Sequence, residues 1–292
     1  MVIGDVNGKL SEVFGKLASL QTKQNFIFAI IAGNLFADPE TATDSDKQDL
    51  VKLLQGDIKI PLPTYFAVGR TALPPAVSEK IASSLGEVCP NLAVLGQKVS
   101  IKTTDGFRIV AMGPSEPVVD GSTASKEITL TGTDTDTDIL LTCDWPAKVR
   151  DGAQAQYMGE TPIGAQSISD LCTTLRPRYH FSTSASFYER EPFFHTGPSP
   201  RSVTRFLSLA PFGNECKQKW IYAFSLEPSA PPPKAMPQGI TASPFTAPRK
   251  RKLESQETDY QRFAGANGNG DGGCKFNPMM PYSLETHLIA VC

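Results

Sequence analysis

The 292 residues predict a layered α/β sandwich. The first observation behind this is the run Phe26-Ile27-Phe28-Ala29-Ile30-Ile31-Ala32, which is apolar without alternation, as a strand of a parallel sheet covered on both faces must be. The second is that helix-spaced segments alternate with such runs through the first 90 or so residues. The third is where the runs end: in Gly4-Asp5, Gly33-Asn34 and Gly69-Arg70. Parallel strands deliver their turns to one sheet edge, where α/β folds gather their ligand-binding loops.

The elements follow in order. Val2-Ile3 is a short strand that enters the turn Gly4-Asp5-Val6-Asn7-Gly8. Leu10, Val13, Phe14, Leu17 and Leu20 keep helical spacing, so a helix with one buried stripe spans 10–20. Asn25 ends it, and the 26–32 strand follows. Leu50, Val51, Leu53 and Leu54 place a second helix over 46–54. The third strand spans 63–69, and Pro74-Pro75 open a helix through 85, prolines being tolerated in a first turn. Shorter strands are then expected over 92–95, 99–102 and 107–112, and residues 114–137, with their Thr-Asp repeat, read as a solvated loop. A strand leading into a sharp loop over 138–146, a helix over 168–175 and a strand over 178–182 lead to 204–209 and 219–225, expected as a closing strand pair. Beyond Pro228, proline, glycine and a basic run replace the apolar pattern. The folded domain is therefore placed at 1–227, with a disordered linker over 228–273.

Bulk properties narrow the function classes. The formal net charge of −2 gives no chain-wide field for nucleic acid or membrane. No basic-then-apolar leader opens the sequence and no apolar run approaches membrane length, so no membrane partner is expected. The six cysteines stand apart with no CxxC pair, which fits reduced thiols in a cytosolic or nuclear protein.

Four stretches taken together carry a resemblance: Gly4-Asp5-Val6-Asn7-Gly8-Lys9, Gly33-Asn34, Ile139-Leu140-Leu141-Thr142-Cys143-Asp144-Trp145-Pro146, and Leu175-Arg176-Pro177-Arg178-Tyr179-His180-Phe181. Tyr188-Glu189-Arg190, Thr204-Arg205-Phe206 and Tyr222-Ala223-Phe224-Ser225 fit the same pattern. Over roughly residues 2–227 the chain resembles the CwfJ family, proteins associated with the RNA lariat debranching enzyme. The resemblance implies an α/β/β/α sandwich of the calcineurin-like metallophosphoesterase type and a nuclear role in late spliceosome disassembly and intron turnover. Its implied partners are the debranching enzyme and late spliceosomal proteins. Full-length members add a module related to histidine-triad proteins that opens with CxxC. Cys274-Lys275-Phe276-Asn277 and Glu285-Thr286-His287-Leu288-Ile289 resemble its start, so 274–292 read as a vestige of that module, and Met1 to Ile3 as a clipped first strand.

Active relatives hold two metal ions that polarise phosphate and activate water, with ligands in the patterns Asp-x-His, Gly-Asp, Gly-Asn-His-Glu, a lone His, and Gly-His-x-His or Ala-His-x-His. Matched to those patterns, this chain keeps Asp5 but has Asn7 in the histidine slot, Asn34 in place of the bridging acid, and Arg70-Thr71-Ala72 in place of Asn-His-Glu. Cys143 takes the lone-histidine slot beside Asp144, and Ser184-Ala185-Ser186 replaces His-x-His. None of the chain's three histidines falls in a slot. The expectation is a pseudoenzyme with no metal and no cofactor.

Single residues keep two readings each. Asp5 is a leftover ligand or the cap of the helix after Lys9. Arg70 binds an RNA phosphate in the vacated metal position, or is solvated or paired with an acid such as Asp5. Trp145 is an exposed partner anchor or core. His180 is a satisfied structural histidine or catalytic, and Arg176 and Arg178 contact RNA or acids, or are solvated. Cys143 is a buried thiol or a nucleophile without a nearby histidine. Arg249-Lys250-Arg251-Lys252 is a nuclear import signal, a nonspecific RNA patch or a solvated run. The leading function is a non-catalytic factor that binds and assists the debranching enzyme. The alternatives are a residual phosphodiesterase or nuclease with one metal at Asp5, Asn7 and Asn34, and a chain that is not a stable product.

Overall fold

The computed structural model describes residues 1–114, 137–195, 203–228 and 238–245. The basic run Arg249, Lys250, Arg251, Lys252, the vestigial module over 274–292 and most of the 114–137 loop lie outside them.

The first half alternates as expected: β1 (Val2–Ile3), α1 (Leu10–Lys23), β2 (Ala29–Ile31), α2 (Asp44–Gln55), β3 (Thr64–Phe66), α3 (Pro75–Ser83), β4 (Glu87–Cys89) and β5 (Leu92–Val94). Then come β6 (Lys98–Lys102), β7 (Arg108–Met112), β8 (Ile139–Thr142), β9 (Trp145–Pro146), β10 (Gly164–Ala165) and α4 (Gln166–Leu175). The chain continues through β11 (Tyr179–Thr183), β12 (Tyr188–Glu189), β13 (Phe193–Phe194), β14 (Val203–Leu209), β15 (Ile221–Tyr222) and β16 (Thr241–Ala242). In the first sheet β1, β2, β3 and β5 lie side by side in parallel, flanked by antiparallel β15 and β4. In the second, β14, β11, β8 and β7 run parallel, with antiparallel β6 at one side and β13, then β16, at the other.

Strand residues point alternately to opposite faces, which sorts the core into three layers. Ile3, Ile31 and Phe66 face Leu10, Val13, Phe14 and Leu17 of α1, Leu53 of α2, and Val77 and Ile81 of α3. Their neighbours Val2 and Ile30 point the other way, onto Ile109, Ile139, Leu141, Phe181 and Leu207 of the second sheet. Leu140 and Phe206 turn from that layer to Trp145 and to Leu171, Cys172 and Leu175 of α4. The order is α/β/β/α, held by side chains that each contribute about 1.5–3 kcal/mol on full burial.

Two helix starts differ in kind. α2 has a capping box, Thr43 and Asp46 bonding each other's backbone N–H groups, and ends on Gly56 at φ 82°. α1 begins after Lys9 with no cap of its own. Asp49 of α2 serves instead, accepting from the Ser11 N–H at 2.8 Å and the Ser11 hydroxyl at 2.6 Å. Burial raises the Asp49 carboxyl, but the Ser11 bonds bring it below its ordinary value.

Two expectations are corrected. The segments 204–209 and 219–225 do not form a closing pair: β14 is central in the second sheet, whereas β15 edges the first. The strand expected to lead into a sharp loop within 138–146 is β8, which ends at Thr142 before the bend at Cys143-Asp144, and β9 beyond it pairs with β10. Nor does order stop at 227: β16 pairs with β13, Ser243 is buried, and Phe245 packs 5.5 Å from the Phe193 ring. Its short polar sequence hid a strand that needs Phe193 and Phe194 as a template. Among the described residues no helix is long and apolar enough to cross a membrane.

Candidate functional site

The carboxyl ends of the parallel strands converge on one cleft. β1 delivers Gly4-Asp5, β2 leads to Gly33-Asn34, β3 to Gly69-Arg70, β8 to Cys143-Asp144, and β11 ends at Thr183. Three glycines make the convergence possible. A Cβ on Gly33 would collide with the Asp5 carboxylate, one on Gly69 with the Asn34 amide, and one on Gly4 with the Ala210 carbonyl. Glycine is required here because a neighbour's side chain or backbone already fills the space.

The converging groups are bonded to one another. Asp5 Oδ1 accepts from the Asn34 N–H at 2.7 Å, and the Thr183 hydroxyl bonds the same carboxyl. Asn34 returns its carbonyl to the N–H groups of Val6 and Asn7, at 2.8 and 3.1 Å, and its side-chain oxygen to the Thr71 N–H at 3.2 Å. Burial drives the Asp5 carboxyl above its ordinary value, offset in part by these bonds and by the Arg70 charge. Arg70 Nη2 donates to Asp144 Oδ1 at 2.5 Å and to the Cys143 carbonyl at 3.2 Å. The Arg70 side chain remains 60% exposed, whereas that of Asp144 is 10% exposed. The Cys143 thiol donates to the Val68 carbonyl at 3.3 Å, and burial pushes it up to about 12. The Asp5–Thr183, Arg70–Asp144 and Cys143–Val68 bonds all cross from one sheet to the other.

The single-residue readings resolve accordingly. Asp5 does not cap α1, because Lys9 stands at the N-cap and the Asp5 carboxyl is committed to Asn34 and Thr183. Arg70 is paired with an acid, but with Asp144 rather than Asp5. Asn7 is exposed at φ 52° and contributes backbone alone to the cleft's bonding. Trp145 is no surface anchor: at 2% exposure it stacks 5.2 Å from Tyr188, and its Nε1–H donates to the Ser208 hydroxyl at 3.0 Å. Ser208 also bonds Ser184, of the vacated His-x-His slot, at 2.6 Å.

His180 is fully buried and 2.8 Å from the Thr142 hydroxyl. That hydroxyl donates to the Asp144 carbonyl at 2.7 Å, so the histidine must donate through Nε2 and is neutral, its pKa lowered by burial to about 3. A group so desolvated braces the Cys143-Asp144 turn and cannot cycle a proton at neutral pH. Arg176 closes α4 in a left-handed conformation, and Arg178 binds Asp138 at 3.1 Å and the Glu227 carbonyl at 2.5 Å. Both precede β11, at the opposite sheet edge from the cleft, so the structure does not bring them to it.

The residues do not fit a two-metal centre. Divalent ions of that kind need several carboxylate or imidazole donors facing one point. The cleft offers two carboxyls, one committed to an N–H and a hydroxyl and one to a guanidinium. Among the described residues no three His, Cys, Asp or Glu side chains assemble. Sequence reasoning singled out these strand-end residues but missed the bonds between them. Opposite charges at two converging strand ends, Arg70 and Asp144, were the available signal.

No family model matches the chain. Among curated proteins it is 32% identical over 275 residues to the CWF19-like protein mug161 of Schizosaccharomyces pombe, across 88% of this chain and 48% of that protein. It is 31% identical to the Caenorhabditis elegans CWF19-like protein 1 homolog, across 91% of this chain and 50% of that one. With mouse CWF19-like protein 1 the identity is 31%, across 78% and 44%. Among solved structures, that of TT1561 from Thermus thermophilus superposes with a TM-score of 0.43 at 16% identity, over 70% of this chain and 87% of that one, too loosely to carry an argument. The chain is thus similar along most of its length to CWF19-like proteins, and spans about half the length of the curated relatives it matches.

Proposed function

We propose that the chain is the degenerate metallophosphoesterase-like portion of a CWF19-like (CwfJ) protein. In this reading it is a non-catalytic nuclear factor of late spliceosome and intron lariat turnover that binds and assists the RNA lariat debranching enzyme. The observation that carries the non-catalytic part is the Arg70–Asp144 pair, which sets a guanidinium where the resemblance calls for metal-binding side chains and occupies a nearby carboxylate. A cation fixed there opposes the approach of a second cation. The similarity to CWF19-like proteins supports the splicing context, and the compact basic sequence Arg249-Lys250-Arg251-Lys252 supports nuclear entry.

The test has two parts. Manganese and zinc calorimetry on the full chain, with a branched-RNA cleavage assay, is expected to show neither stoichiometric binding nor cleavage. Debranching enzyme assayed with and without the chain is expected to bind it and turn over branched RNA faster in its presence. Asp5-dependent metal binding with cleavage would replace this reading with a residual phosphodiesterase at Asp5, Asn7 and Asn34. No complex and no acceleration would remove the debranching partnership.

A further inference from the structure

One face of the molecule carries charge that the cleft does not use. Lys16 and Lys23, seven residues apart, lie on one stripe of α1 roughly 10 Å from each other, and Lys9 stands at the N-cap seven residues before Lys16. All three are exposed, and among the described residues no acid pairs with them or with Lys217. The stripe borders the loop over 211–220. Lys9 Nζ lies beside Gly213, within 2.9 Å of where a Cβ would stand, and Lys16 Nζ lies 4.6 Å from the Phe212 ring centroid and 5.8 Å from that of Trp220.

The loop is rigid. Asn214 donates to the Pro211 and Gln218 carbonyls at 2.9 and 3.0 Å and accepts from the Gln218 N–H at 2.8 Å. It is tied to the cleft through the Phe212 N–H, 2.7 Å from the Asp5 carbonyl. Two placements work against local stability. Lys9 puts a cation at a helix N-terminus, against the macrodipole, and Lys217 takes φ 51°, which costs a non-glycine residue about 1 kcal/mol or more. The acids of α1 and this loop are Glu12 and Glu215, while the remaining lysine, Lys219, sits 4.0 Å from Glu189 and over the Phe187 ring.

We infer that the Lys9–Lys16–Lys23 stripe, with Lys217, binds the phosphodiester backbone of a single-stranded nucleic acid and leads it to the cleft mouth at Asp5. Spaced ammonium groups on a rigid surface neutralise successive phosphates without reading sequence. The inference deepens the reading above, and it rests on that reading for the strand being RNA.

Fluorescence anisotropy of labelled oligouridylate with the full chain, over a series of salt concentrations, tests it. Each phosphate contact to a single strand contributes about 0.7 to the slope of log affinity against log salt. Lys9, Lys16, Lys23 and Lys217 changed together to Ala should flatten the slope by about 3 and weaken low-salt binding at least tenfold, with the melting transition retained. Changing Arg249, Lys250, Arg251 and Lys252 to Ala should leave that difference intact. The inference is overturned if the wild-type chain does not bind, if the four-lysine variant keeps the wild-type slope, or if only the tail variant loses binding. Equal displacement by polyglutamate would assign the face to an acidic protein segment and overturn it too. The debranching assays are separate, so a slope flattened in the four-lysine variant, with no debranching complex, would remove the partnership alone.

Discussion

Arg70→Ala should cost more than an ordinary surface charge. The pair joins the end of one sheet to the end of the other, with Asp144 buried and Arg70 60% exposed. Unit charges about 4 Å apart attract by roughly 4 kcal/mol at an effective dielectric near 20, before desolvation and side-chain entropy are subtracted. Solvent around the exposed guanidinium lowers the net coupling toward the value of about 1 kcal/mol typical of surface pairs. Removing the arginine also leaves the Asp144 carboxylate less compensated within the protein. Together these give about 2 kcal/mol for Arg70→Ala, about 1.5 for Asp144→Asn, and about 2.5 for the double variant, a coupling of about 1 kcal/mol. Urea unfolding of the four proteins measures it, and half-molar salt should lower the coupling only modestly because one partner is buried. Additive single effects, within about 0.3 kcal/mol, would refute the claim that this ion pair ties the two sheets together.

Other outcomes follow from the same geometry. Gly33→Ala should destabilise by about 2–4 kcal/mol, because its Cβ would strike the Asp5 carboxylate, itself hemmed in by Thr183; thermal melting checks it. Asp5→Asn should hold or raise the melting temperature at pH 7. Burial lifts the folded Asp5 pKa above its unfolded value, so any stability this carboxyl adds is present at low pH and is lost as pH rises through the folded pKa. The His180 pKa is lowered to about 3, so the unfolded chain takes up a proton there that the fold refuses below the ordinary value of 6.5. Stability should therefore fall by up to about 1.4 kcal/mol per pH unit between those limits and be unaffected above them; His180→Gln should flatten that acid limb in denaturant titrations. Trp145→Phe should cost about 1–3 kcal/mol, chiefly from the buried Ser208 hydroxyl losing its indole donor.

The α/β class and its strand-end loops were legible in the sequence because they rest on local periodicity. Of the apolar run over 26–32 only Ala29–Ile31 is a covered strand, Ile27 being 57% exposed, whereas Leu10, Val13, Phe14 and Leu17 form one buried helix face as expected. Glycines after the strands marked where backbones come close. Some helix ends were displaced by two or three residues: α1 starts at Leu10 as expected but runs to Lys23, and α3 stops at Ser83. The separation of β14 from β15 was not legible either, because both read as short apolar strands and only the packing of two sheets decides which partner each takes.

At the cleft the sequence by itself determined only which residues follow the strands, the comparison with metal-binding patterns coming from the family resemblance. What those residues do was decided by tertiary structure. Arg70 and Asp144 are 74 residues apart and meet only because two sheets end at one edge. Trp145 reads as an anchor or as core until Tyr157, Tyr188 and Phe206 are seen around it. His180 becomes a fixed neutral donor only through the direction of the Thr142 hydroxyl. Hydrophobic period is a property of neighbours along the chain, whereas a hydrogen bond or an ion pair is a property of neighbours in space. That is why the architecture could be read in advance and the bonding of the cleft could not.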